Sequence, residues 1–84
     1  MPKATYVILS DGPNETLGRT VAAKYPDHFD LSPDQWLVST DDTTLEISEN
    51  LGVQGGDRGR AVVFRVDAYN GRHRQGLWEW LQLD

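Results

Sequence analysis

The feature that most constrains this chain is the run ATYVILS at residues 4–10, followed at once by DGPN. Tyr6, Val7, Ile8 and Leu9 follow one another without a polar residue between them. A strand that faced water on one side would alternate, so this one reads as central and buried on both faces. Its end is sharp. Gly12 reaches backbone angles closed to other residues and Pro13 presets its own, so the chain turns directly after Asp11.

The remaining segments supply partners for that strand. Asn14 is placed to cap a helix running to Ala23 or Lys24, with Leu17, Val21 and Tyr25 spaced four apart on one face. Pro26 stops it, and Gly18 and Thr20 weaken it. HFDLSPDQWLVST, residues 28–40, reads as two strands, 28–31 and 36–40, around an SPDQ turn. Thr43 and Glu46 have the spacing of a capping box, which starts a helix to Leu51 that Gly52 ends in the left-handed conformation. QGGDRG is a loop, and RAVVFRV, residues 60–66, is the last strand.

The tail is readable in two ways. LWEWLQL alternates as a strand would, yet Leu77, Trp80 and Leu81 also share a helical face. Gly71 and Gly76 bracket RHRQ as a loop. We read a short C-terminal helix whose tryptophans pack on the sheet or on a partner. The order strand, helix, strand, strand, helix, strand, plus a tail, is the split βαβ or ferredoxin-like arrangement. This predicts an α+β fold in one domain, residues 1–84: four antiparallel strands with two helices on one face. The opposite face then needs cover, and a second copy would provide it, so a homodimer is expected.

Size points the same way. A chain of 84 residues has a limited core and a thin stability margin, for which self-association is a common remedy. The net charge of −5 disfavours general nucleic-acid binding, which normally calls for excess Lys and Arg. The charge is uneven, however, because Arg58, Arg60, Arg65, Arg72 and Arg74 all follow Gly52 and leave room for a local basic patch. The absence of cysteine excludes disulfides and thiolate metal sites and suits a cytosolic bacterial protein. The first residues are too short in apolar content for a signal peptide or a membrane span. The expectation is a soluble, cytoplasmic protein without a membrane partner.

No residue pattern forms a recognisable catalytic set. His28 reads as a strand-start residue, and His73, between Arg72 and Arg74, as part of an exposed loop or an anion contact. GGDRGR lacks the lysine and the following helix that a phosphate loop needs. Asp41 and Asp42 suit a helix start through its dipole. Trp36, Trp78 and Trp80 read as core or interface mass rather than base-stacking platforms, with Trp78 and Trp80 assigned to a dimer interface.

YVILSDGPN, DQWLVSTDDTTLEISENL, GDRGRAVVFRV and GLWEWL together resemble the SinR-like group of small bacterial proteins. That group is related in fold to the compact CRISPR-associated adaptation protein that pairs with the integrase. The resemblance spans most of the chain and implies a ferredoxin-like dimer. In the adaptation-protein relatives an aspartate ending the first strand meets its twofold mate near the dimer axis, and Asp11 occupies the matching position. Some of those relatives are described as metal-dependent nucleases and others as structural members of an integration complex. This chain has Ser10-Asp11 where the relatives have Tyr-Asp, and its first helix is short and poor in basic residues.

Asp11 therefore has two readings: a turn former bonded to following amides, or half of a carboxylate pair that holds magnesium and lowers the pKa of a bound water. The leading expectation is a dimeric interaction module with no catalytic set and no cofactor. One alternative is a magnesium-dependent nuclease, with paired Asp11 as metal ligand and catalytic group and with Arg58, Arg60, Arg72 and Arg74 holding phosphate. The other is a regulatory, antitoxin-like partner of a basic protein.

Overall fold

The computed structural model describes residues 3–53, 55, 59–68 and 75–83. Its elements are β1 (Ala4–Ser10), α1 (Glu15–Lys24), β2 (His28–Ser32), β3 (Gln35–Thr40), α2 (Thr44–Asn50), β4 (Ala61–Val66) and α3 (Gln75–Leu83). The four strands form one sheet in the order β2-β3-β1-β4, and all three ladders are antiparallel. This is the ferredoxin-like βαββαβ arrangement followed by a third helix. β1 is central, as its apolar run requires.

Local chemistry sets the helix ends. Asn14 Oδ1 accepts from the Leu17 amide at 3.0 Å and starts α1. The capping box of α2 is complete: Thr43 Oγ1 accepts from Glu46 N at 3.1 Å, and Glu46 Oε1 accepts from Thr43 N at 2.9 Å. Gly52 follows the C-cap Leu51 with φ +72°, a left-handed angle that glycine adopts without strain.

Strand alternation then sorts the side chains. Tyr6, Ile8, Trp36 and Val38 point to the helix side and form one core with Leu17, Val21 and Tyr25 of the α1 segment and Ile47 and Leu51 of the α2 segment. α1 approaches β3 closely at Gly18, where a Cβ would lie 3.2 Å from the indole ring of Trp36. Glycine is needed there for space rather than for φ.

The other sheet face is covered in part. α3 packs over β2: its Gly76 borders the Phe29 ring, Trp80 lies 6.2 Å from that ring between centroids, and the Trp80 indole donates to Asp27 Oδ1 at 3.1 Å. Leu37 and Ser39 of β3 and Leu77 of α3 are buried. The tail is thus a helix, and it uses Trp80 within its own chain. Burial of β1 on both faces, as its unbroken apolar run predicts, is only partly realised, because Leu9 remains 38% exposed. A helix is about 10 Å across and strands lie about 4.8 Å apart, so a single helix shields two strands of four.

Candidate functional site

The register places Phe29, Leu37, Val7 and Phe64 in one row across the four strands on the face opposite α1 and α2. From Leu37 outward exposure rises. Leu37 is 7% exposed, while Phe64 at the far end is 50% exposed. The neighbouring row carries Leu9 opposite Val62, and Val62 is also exposed. β4 is an edge strand, so the bare patch of Leu9, Val62 and Phe64 runs to the rim of the sheet. Side chains of this size are seldom left together in water without a use.

Asp11 and Arg60 lie at the end of that patch. The Asp11 amide donates to Arg60 O at 2.9 Å, which continues the β1–β4 pairing by one residue. Their charged groups stand 4.0 Å apart and are both largely exposed. Asp11 is not the turn former. The Gly12 amide donates to Ser10 O, Pro13 has no N–H, and the Asn14 amide donates to Pro33 O. The turn is built from backbone groups, and the carboxylate of Asp11 stays outside it.

Arg60 is the one phosphate-binding candidate the structure positions, since Arg58, Arg72 and Arg74, together with His73, lie outside the described residues. Among the described residues no three His, Cys, Asp or Glu side chains gather as a metal site. His28 is half-buried at the start of β2, with Nδ1 2.8 Å from Tyr25 O and Nε2 3.7 Å from Asp30. Trp36 is core, as its residue type suggests, and Trp78 is half-buried on α3.

One cluster escapes sequence reasoning. The Tyr25 hydroxyl donates to Asp42 Oδ2 at 2.9 Å and accepts from the Asn50 amide at 3.0 Å, and that amide also donates to Asp42 Oδ2 at 3.3 Å. Burial pushes the Tyr25 phenol up to about 12, against the opposing pull of the Asn50 hydrogen bond, and the Asp42 carboxylate adds to the rise. Asp42 thus does more than complement a helix dipole: it ties the end of α1 to α2. The three residues are dispersed along the chain, and no local pattern joins them. They lie on the helix side, away from the bare patch.

Among the described residues no helix is long and apolar enough to cross a membrane. A scan against protein-family models matches no family, and searches of curated proteins and of solved structures find no match.

Proposed function

We propose that this chain is a SinR-like dimeric interaction module whose contact surface is the bare half of its sheet. The observation that carries the reading is the exposed Leu9, Val62 and Phe64 patch beside a half already covered by the chain's own α3. The occupant is a second copy because the rim of the patch is self-complementary. Asp11 and Arg60 lie side by side on adjacent strands. A twofold axis along the strands sets β1 over β4 of the other copy, so each Asp11 faces an Arg60 and the pattern repeats on both subunits. The charges fix register, and the apolar rows between them supply the binding energy.

A second reading is supported by the exposed position of the Asp11 carboxylate, outside the turn and on the same face as the patch, where its contact with Arg60 is long at 4.0 Å. In a magnesium-dependent nuclease the axis would bring Asp11 to its own mate rather than to Arg60, and the pair would hold the metal.

Sedimentation over a concentration series separates the readings. The module predicts a reversible dimer that Phe64→Glu abolishes. Asp11→Arg weakens it by about tenfold, and adding Arg60→Asp restores it. A chain that stays monomeric at every concentration overturns the module. Recovery of a basic protein with that monomer would favour the regulatory reading. The nuclease reading requires cleavage with magnesium or manganese that Asp11→Asn abolishes at an unchanged melting temperature.

A further inference from the structure

A hollow of about 620 Å³ lies on the helix side of the sheet, between α1 and the β2–β3 turn, and its lining includes Pro13, Gly18, Arg19, Ala22, Pro33 and Trp36. That volume falls within the roughly 300–1,000 Å³ of small-molecule sites. Trp36, only 3% exposed, closes its inner end.

An indole N–H can only donate, and a buried donor left without an acceptor is destabilising. Trp80 satisfies its own on Asp27, whereas Trp36 Nε1–H finds no acceptor among the described residues. The ring edge that carries this N–H lies beside Gly18, where a Cβ would come within 3.2 Å of both Nε1 and Cζ2. Glycine is a poorer helix former than alanine, and any larger residue would cover the donor. The side chain that would close the hollow at its inner end is missing where the unpaired group sits.

The charges of the wall have neighbours of their own. Arg19 Nη2 is 3.2 Å from Glu15 Oε1, and Asp30 Oδ1 is 3.7 Å from His28 Nε2. Pro13, Pro33 and Ala22 offer apolar surface. An ionic ligand would have to displace these pairs, while an uncharged one loses nothing to them.

We propose that this groove binds an uncharged small molecule that presents a carbonyl oxygen to Trp36 Nε1–H and an apolar body to Pro13, Pro33 and Ala22. The site is on the opposite face from the proposed dimer contact and does not depend on it.

The test is a titration of the ¹⁵N-labelled protein with N-methylpyrrolidone, a compact apolar amide without a donor. The chain has three tryptophans, so the two other indole signals act as internal controls. The expected result is a saturable shift of the Trp36 indole signal alone, with a Kd on the order of 1 mM for so small a probe. N-methylpyrrolidinium, similar in size but charged and without a carbonyl, produces no such shift. Gly18→Ala covers the ring edge, and Ala22→Phe fills the groove from an exposed position that leaves the core alone. Each should weaken binding by about tenfold or more, and Phe64→Glu should leave it unchanged. A Trp36 signal that stays still, that moves without saturating, or that responds alike to the charged probe or in both groove variants overturns the proposal.

Discussion

The two halves of the sheet face opposite α1 and α2 are made of similar residues and meet different fates. Over β2 and β3, Leu37 is buried on the face where α3 packs, with Leu77 buried too and Trp80 anchored on Asp27. Over β1 and β4, Leu9, Val62 and Phe64 hold the same apolar character without a lid. Both halves follow the same alternation, so strand pattern alone does not separate structural surface from contact surface. What separates them is the width of α3, which among the described residues is the helix laid across this face. Apolar content beyond that width either goes to waste or meets another molecule.

The comparison breaks most easily at the covered half. Leu77→Ala removes a buried side chain from beneath α3 and should lower stability by about 2–3 kcal/mol in urea unfolding. An unchanged midpoint would mean that α3 is an ornament and that the halves do not differ.

A smaller effect, set on the other side of the sheet, checks that the two faces respond independently. The Tyr25 phenol is raised from 10.0 to about 12, so the folded state favours the protonated form more strongly than the unfolded chain does. That stability is fully present below pH 10 and is lost as the pH rises towards 12, by an amount on the order of 1–2 kcal/mol. The alkaline loss should be the same in the wild type and in Leu77→Ala, because Tyr25, at the C-terminal cap of α1, packs in the core on the helix side. A changed profile would show that α3 supports the helix-side core.

The smallest effect belongs to the bare half. Phe64→Ser should alter the stability of the dilute, monomeric chain by about 0.5 kcal/mol or less, since half of the ring is already in water. A loss comparable to that of Leu77→Ala would show that the patch is part of the chain's own core.

Much of the fold is legible in the sequence because its signals are local. The DGPN turn, the Asn14 cap, the Thr43–Glu46 box and the Gly52 terminus each depend on residues within a few positions of one another. The ferredoxin-like order follows from that sequence of elements, and the tail resolves as a helix with Trp80 on its own sheet. What the sequence hides depends on distance. The unbroken ATYVILS run cannot disclose that cover ends between β3 and β1, and nothing near Asp42 announces its bonds to Tyr25 and Asn50. Asp11 before Gly-Pro looks like a turn former, but the backbone satisfies the turn first and leaves its carboxylate outside. The pairing of Asp11 with Arg60 likewise becomes visible only once β4 is set beside β1.

The close seat of Gly18 on Trp36 also bears on how the molecule assembles. α1 has 10 residues, contains threonine twice and glycine once, and is shorter than the roughly 12–15 residues an isolated helix needs to hold in water. Its contour is lent by an indole that belongs to a strand made later in the chain. α1 leaves the ribosome before β3 and is therefore among the parts that must wait, and for this segment the order of synthesis runs opposite to the order in which shape becomes permanent.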